Sequence, residues 1–155
     1  MSHAADAVEI SIADRASSGL IEALGRLLPQ LSSSAPPMTL QALTRILDAP
    51  SNLLLIARDP QVNGRIVGTL TLVVFPIPTA IRAWIEDVVV DESARGRGAG
   101  EALVRAAVKL AAERGAKTLD LTSRSSRRAA HRLYEKCGFH VRDSNVYRFG
   151  PKPTS

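Results

Sequence analysis

A glycine-rich turn between an apolar strand and a helix constrains this sequence more than any other feature. The turn reads Arg-Gly-Arg-Gly-Ala-Gly over residues 95–100, shortly after the apolar stretch 88–90. Glycine lets the backbone adopt positive φ and approach a ligand closely, and the first N–H groups of a helix attract an anion because they lack internal partners. The pattern predicts a cradle for phosphate or pyrophosphate, to which Arg95 and Arg97 would add charge. A purely structural turn is the alternative.

Two common phosphate-binding motifs do not fit this turn. A P-loop requires Gly-Lys-Ser/Thr, which does not follow the glycines. A dinucleotide fingerprint requires an acidic residue at the end of the next strand, whereas that strand ends in Thr122-Ser123-Arg124. The cradle is therefore of another kind.

Apolar periodicity predicts an alternation of helices and strands along the whole chain. The order is β-α-α-β-β-β-α-β-α-β-β, without a repeat or a linker, which predicts one mixed α/β (α+β) domain over residues 1–155. The predicted helices are 16–31, 40–47, 99–114 and 126–136, and the predicted strands are 8–12, 53–57, 65–75, 83–90, 117–122 and two closing strands at Val141 and 146–149.

Composition limits the class of protein. With 155 residues, 45% hydrophobic and 23% charged, the chain is expected to be a globular domain with its own core. It has no apolar run of transmembrane length, and residues 1–7 do not resemble a signal peptide. A single cysteine, Cys137, excludes an internal disulfide and a zinc site of paired cysteines. We therefore expect a cytoplasmic protein without a membrane association or a bound metal.

The basic charge is concentrated in the C-terminal half. Residues 1–90 contain six Lys/Arg and eight Asp/Glu, whereas residues 91–155 contain fourteen and seven. A nucleic acid or a phosphorylated small molecule would suit this half, and a solvated arginine-rich surface is the alternative. Only 4% of residues are aromatic, and no helix-turn-helix is present, so nucleic acid is the less favoured partner.

Two motifs resemble those of the GNAT superfamily of N-acyltransferases. Arg95, Gly98 and Gly100 fit Arg-x-x-Gly-x-Gly, which is similar to its acetyl-CoA signature, and Leu-Tyr-Glu-Lys-Cys-Gly-Phe at 133–139 resembles its second hallmark. The resemblance covers residues 66–149. It implies a mostly antiparallel central sheet of six to seven strands with about four helices, and acetyl transfer from acetyl-CoA to a primary amine in a ternary complex.

The resemblance also implies a cofactor site. The strand at residues 88–90 would separate from its neighbour and offer backbone groups to the pantetheine arm, and the Val88 N–H would polarise the acetyl carbonyl. Arg127 stands where many members have asparagine, so it would either reach a CoA phosphate or lie on the surface. The residues expected to bind acetyl-CoA are Val88, Val89, Val90, Arg95, Gly96, Arg97, Gly98, Ala99, Gly100, Glu101 and Arg127.

Tyr134 and Glu86 are the candidate catalytic residues. The Tyr134 phenol would protonate the departing CoA thiolate, with a core tyrosine as the alternative. Glu86, in a segment similar to that of glucosamine-phosphate N-acetyltransferases, would accept the amine proton directly or through water. Alternation places it on one face with Val88 and Val90; its alternative is a solvated residue paired with Arg82 or Arg148.

Two further side chains near Tyr134 are weaker candidates. His131 shares a helical face with Tyr134 and could assist proton transfer, although a lone histidine is more often structural. Cys137 is expected to be a small buried residue rather than a nucleophile.

The acceptor amine is left open among a small amine, an amino sugar, a polyamine, an antibiotic and a protein. The oligomeric state is open as well, although a homodimer is common among proteins of this kind. The alternatives to an enzyme are a nucleic-acid-binding module and a non-catalytic CoA-binding regulator.

Overall fold

Five strands form one sheet in the order β1-β2-β3-β4-β5 in the computed structural model, which describes residues 7–151. Successive strands pair antiparallel, except that β4 and β5 are parallel. In chain order the elements are β1 Glu9–Ile12, α1 Ser18–Leu31, α2 Leu40–Asp48, β2 Asn52–Asp59, β3 Arg65–Ile77, β4 Ala80–Val90, α3 Ala99–Glu113, β5 Thr118–Asp120 and α4 Arg128–Lys136, with short 3-10 turns at Pro60–Val62 and Glu92–Ala94.

Helices cover both faces of the sheet, and β2 shows why. Its apolar residues alternate between two cores: Leu53 and Leu55 pack into the core that contains α3, whereas Leu54 and Ile56 pack into the core that contains α1 and α2. A strand buried on both sides is a continuous apolar run rather than an alternating one. We call these the α3 core and the α1/α2 core.

The helices begin where their sequences indicate. Ser17 caps α1 by accepting a hydrogen bond from the Leu20 N–H, and Thr39 caps α2 by accepting one from the Ala42 N–H at 3.1 Å. Such caps satisfy backbone donors that a helix leaves unpaired. In α3, the apolar residues Leu103, Val104, Ala107 and Ala111 are buried, whereas Val108 is exposed.

The mixed α/β class and the helix order are confirmed, but the strand number differs from the six to seven expected. The closing strands at Val141 and 146–149 are not strands, because residues 140–150 pair with no other backbone in the described part of the chain. A β-strand requires a hydrogen-bonded neighbour. Val141, Val146, Tyr147 and Phe149 are instead between 72% and 106% exposed.

Candidate active site

The edge strand β5 pairs with β4 over only part of the length of β4. Their parallel pairing runs from Arg82 and Thr118 to Trp84 and Asp120, and β4 then continues to Val90 with no further β5 partner among the described residues. The pairing thus ends before residues 88–90, as the predicted separation of this strand from its neighbour requires. The opened side of β4 offers backbone groups that an extended ligand arm can occupy.

A β-bulge interrupts β4 beside this opening. Thr71 pairs with Glu86 and Thr69 pairs with Val89, so two residues of β4 lie opposite one residue of β3. The first of the two, Asp87, has φ of 50°, which lies in the left-handed region and is uncommon for a residue other than glycine. A bulge leaves one residue outside the ladder and reverses the alternation of side chains beyond it.

The bulge changes the face on which Glu86 lies. Val88 and Val90 pack against the α3 core, whereas Glu86 is paired with Thr71 on the opposite face, towards the α1/α2 core. The prediction that Glu86 shares a face with Val88 and Val90 is therefore wrong, because simple alternation does not hold across a bulge. Glu86 is exposed, and the ion pairs within residues 7–151 do not join it to Arg82 or Arg148.

The glycine turn has the backbone conformation that its sequence predicts. Gly96 and Gly98 have φ of 82° and 85°, and Gly98 caps α3 without a side-chain hydrogen bond. The first intrahelical bond comes from the Ala102 N–H, so the N–H groups of residues 99–101 have no helical partner. A Cβ at Gly100 would lie 3.3 Å from Leu133 Cδ2. The third glycine therefore also allows α3 to pack closely on α4.

The two arginines of the turn differ in their surroundings. The Arg97 guanidinium is bound to Asp59: Nη2 donates to Oδ1 at 2.9 Å, and Nε lies 2.8 Å from Oδ2. Its charge is thus already paired rather than free for a ligand. Arg95 is exposed, and the ion pairs of the described chain do not include it.

Glu101 joins the first turn of α3 to α4. Its carboxylate accepts hydrogen bonds from Lys136 Nζ and from Arg105 Nε, both at 3.0 Å. These two bonds hold the pKa of Glu101 below its usual value. The side chain is therefore occupied in packing the two helices, while its backbone N–H remains at the helix start.

Tyr134 lies on the same side of the sheet as Val88 and Val90. It is half-buried against the α3 core, and its ring centre lies 6.0 Å from that of Phe139. Burial raises the pKa of the Tyr134 phenol, and the nearby Arg127 charge offsets this effect only in part. A phenol with a raised pKa stays protonated at neutral pH and can donate a proton.

The contacts of the other candidates in and next to α4 indicate structural rather than catalytic roles. His131 Nε2 lies 2.9 Å from the Arg124 carbonyl oxygen and fastens the loop before α4. Arg127 is the exposed N-cap residue of that helix. Cys137 packs partly buried against the α3 core, and burial raises the pKa of its thiol, which disfavours a thiolate nucleophile.

Two buried carboxylates that sequence patterns did not single out hold the ends of the turn. Asp91 accepts from the Ser93 N–H and hydroxyl and from Arg26 Nη1, and Asp59 binds Arg97. Burial raises the pKa of Asp91, but hydrogen bonds from Ser93 and Gln30 and the Arg26 charge outweigh it and lower the pKa overall. The only local signals are that Asp91 and Asp59 each precede a 3-10 turn and cap it.

Other parts of the molecule do not add to this site. Two cavities of about 230 and 250 Å³ are lined by β1, the first half of α1, the end of β2 and the start of β3, and they contain none of the predicted site residues. In residues 7–151 there is no group of three potential metal ligands. No helix in the same range is long and apolar enough to span a bilayer.

Comparison with known proteins agrees with this geometry. Residues 22–139 match the model of the acetyltransferase (GNAT) family. A Trypanosoma brucei brucei glucosamine 6-phosphate N-acetyltransferase is 31% identical over 131 residues, which are 81% of this chain and 84% of the relative. A solved putative acetyltransferase from Agrobacterium tumefaciens is 29% identical, covers 92% of this chain and 99% of its own, and has a TM-score of 0.79.

The fold is also found around a CoA-derived ligand. AAC(6′)-Iy, solved with the bisubstrate analogue CoA-S-monomethyl-acetylneamine, has a TM-score of 0.75 at 16% identity, with 94% of this chain and 99% of that chain covered. The match to the family model defines the class of protein as an acyltransferase, and a strand with an unpaired side next to a glycine turn and a helix start suits that class. The chain belongs to the GNAT acetyltransferase family and is an N-acetyltransferase that moves an acetyl group from acetyl-CoA to an amine.

Proposed function

We propose that the acceptor is a phosphorylated amino sugar of the glucosamine 6-phosphate type. The observation that carries the proposal is the similarity to the trypanosomal glucosamine 6-phosphate N-acetyltransferase, which extends over 81% of this chain. The exposed carboxylate of Glu86 beside the β4 bulge supports it, because an amino sugar carries a protonated amine that must lose its proton before it attacks.

In the proposed reaction the amine attacks the thioester carbonyl directly, without an acyl-enzyme. The amides of Gly96 to Glu101 hold the pyrophosphate, residues 88–90 bind the pantetheine arm, and the Val88 N–H stabilises the developing oxyanion. After attack the nitrogen loses its second proton to water as the C–S bond breaks. CoA leaves as thiolate, Tyr134 protonates its sulfur, and the phenol regains its proton from solvent. The three N–H groups of residues 99–101 that lack helical partners support the pyrophosphate assignment.

The acid and the base would act from opposite faces of the sheet. Tyr134 belongs to the α3 core face, and Glu86 lies on the other face because of the bulge. β5 pairs with β4 only as far as Trp84 and Asp120, so beyond that point the proposed thioester site lies beside β4 with no paired β5 strand between the two faces. A thioester held at this site would present its sulfur towards Tyr134 and its carbonyl carbon to an amine arriving on the Glu86 side.

An acceptor assay tests the proposed substrate. With glucosamine 6-phosphate, the enzyme should release CoA thiol with a kcat/KM about 100-fold higher than with glucosamine, since a phosphate adds charge-assisted hydrogen bonds. N-acetylglucosamine 6-phosphate, whose amine is blocked, is the matched control and should release none. An equal rate for the two free amines, or a clear preference for a polyamine or an aminoglycoside, would contradict the proposal.

The C-terminal segment 140–150 supports a homodimer. Its large apolar side chains (Val141, Val146, Tyr147 and Phe149) are exposed, and such a patch usually marks an interaction surface. The outer edge of β5 is also open within the described sheet, and an extended segment can add to such an edge. In a homodimer, segment 140–150 of each copy could pair with the open β5 edge of the other copy. The two contacts would then be related by a twofold axis.

Mass measurement in solution tests the dimer. The wild type should have a mass near twice 16.6 kDa, and the combined change Tyr147→Ser and Phe149→Ser should give a monomer, because the apolar contact is lost. Leu40→Ser, at an exposed leucine on α2, should leave the dimer intact. A wild type that stays monomeric at about 100 µM, a concentration well above the Kd of a stable dimer, would exclude it.

The remaining expectations stay proposals. A single cysteine, which cannot form an internal disulfide, supports a cytoplasmic location. The absence of an interdomain linker in the sequence supports one acetyltransferase domain over residues 1–155.

A further inference from the structure

The topology brings Asp59 next to the glycine turn. β2 and β4 run in the same direction, because each is antiparallel to β3, which lies between them. The C-terminal ends of β2 and β4 therefore lie at the same end of the sheet. Asp59 is the last residue of β2, and the turn at 91–98 follows the last residue of β4.

Asp59 is buried at this end of the sheet. It is 1% exposed, and its Oδ1 accepts from both the Gln61 N–H and Arg97 Nη2 at 2.9 Å. Its Oδ2 lies 2.8 Å from Arg97 Nε, an ion-pair contact, and accepts no hydrogen bond from the described residues. A buried carboxylate needs a paired charge, and Arg97 supplies it through one hydrogen bond and one close ion-pair contact.

Because of the position of Arg97, its contact with Asp59 restrains the glycine turn. Arg97 stands between Gly96 and Gly98, both at positive φ, and glycine is the residue with the most backbone freedom. The start of the turn is fixed separately, by the Arg26–Asp91 ion pair and the bond from the Glu92 N–H to Gln30. Arg97 is therefore the side chain that anchors the glycine part of the turn to the sheet.

We propose that the Asp59–Arg97 pair is a positioning device that preforms the pyrophosphate cradle. This inference rests on the proposed binding of acetyl-CoA at the turn. Asp59 and Arg97 act through the backbone: the anchored turn presents its amides in one conformation before the ligand arrives, which lowers the entropy lost on binding. The Arg97 guanidinium is paired with the Asp59 carboxylate, so Arg97 does not bind the phosphates directly.

Calorimetric titration with acetyl-CoA tests the pair. Asp59→Asn and Arg97→Gln should each raise the Kd about tenfold, and the double variant should be no weaker than the weaker single variant, because both changes break the same contact. The exposed Asp14–Arg15 pair, whose side chains are 85% and 84% exposed, provides matched controls. Asp14→Asn and Arg15→Gln should leave the Kd unchanged.

A truncated donor separates positioning from general loss of structure. S-acetylpantetheine keeps the thioester and lacks the pyrophosphate, so kcat/KM with this donor should be the same for the wild type and both variants, whereas kcat/KM with acetyl-CoA falls about tenfold. If both donors lose equally, the pair only stabilises the fold, and the proposal is overturned.

The direction in which Asp59→Asn changes the Kd for acetyl-CoA distinguishes positioning from direct contact between Arg97 and the phosphates. If Arg97 contacted the phosphates directly, releasing it from Asp59 would tighten acetyl-CoA binding, and this result would overturn the positioning role. Unchanged Kd values in both variants would do the same. A wild type that does not bind acetyl-CoA would instead refute the cradle itself, so the two failures are distinguishable.

Discussion

Replacing Tyr134 by phenylalanine should lower kcat by about 100- to 10,000-fold, the range in which general acid catalysis contributes. The change removes the hydroxyl and keeps the ring, which packs against the α3 core and Phe139. The Kd for acetyl-CoA should stay within about twofold, because the proton is transferred only as the C–S bond breaks. Steady-state kinetics and calorimetry on the same preparation measure both quantities.

The second tyrosine of the chain provides the control for this variant. Tyr147 is exposed in the segment 140–150 and belongs to neither core, so Tyr147→Phe should have the kcat of the wild type. If Tyr134→Phe were as fast as Tyr147→Phe, Tyr134 would be a packing residue and the thiolate would take its proton from water. A fall in kcat together with a similar fall in acetyl-CoA affinity would also contradict the acid role.

The pH dependence of kcat gives an independent measure of the acid. Burial raises the pKa of Tyr134 above its ordinary value of 10.0, so the phenol is protonated, and able to donate, throughout the neutral and mildly alkaline range. The ratio of wild-type to Tyr134→Phe activity should therefore be constant from about pH 6 to 9. The loss of wild-type activity through ionisation of Tyr134 lies above pH 10, not below it.

The parts of the site that short-range patterns control were predictable from sequence. The turn at 95–100 and the start of α3 follow from glycine conformation and helix capping, and the helix face of α3 follows from apolar spacing. The two motifs also identified the family. These features depend on residues a few positions apart, which is the range over which periodicity and turn chemistry act.

The features that the sequence did not reveal depend on distant residues or on a single irregularity. The bulge at Asp87 carries no glycine or proline as a signal, and it moved Glu86 to the other face. The Asp59–Arg97 contact joins residues 38 positions apart, so it appears only once β2 and β4 are placed in one sheet. The prediction of two closing strands at Val141 and 146–149 was wrong because these residues, although β-like in sequence, pair with no strand among the described residues.

The position of Glu86 leads to a prediction that differs in kind from that for Tyr134. Glu86→Gln should lower kcat/KM for the amine about 100-fold near neutral pH, because a positioned base contributes at least that factor. The deficit should shrink as the pH rises above the pKa of the acceptor amine, since the free amine then forms without a base. The Tyr134→Phe deficit should not shrink over the same range, because the departing sulfur still takes up a proton as long as the pH is below the pKa of the CoA thiol.

A matched carboxylate on another strand makes the Glu86 result interpretable. Glu9 is also an exposed glutamate, on β1 at the far edge of the sheet, and Glu9→Gln should leave the pH profile of kcat/KM unchanged. A Glu86→Gln deficit that is independent of pH would mean that the carboxylate binds the acceptor instead of taking its proton. Since the bulge places Glu86 and Tyr134 on opposite faces, losses that multiply in the double variant would show that the two groups act independently.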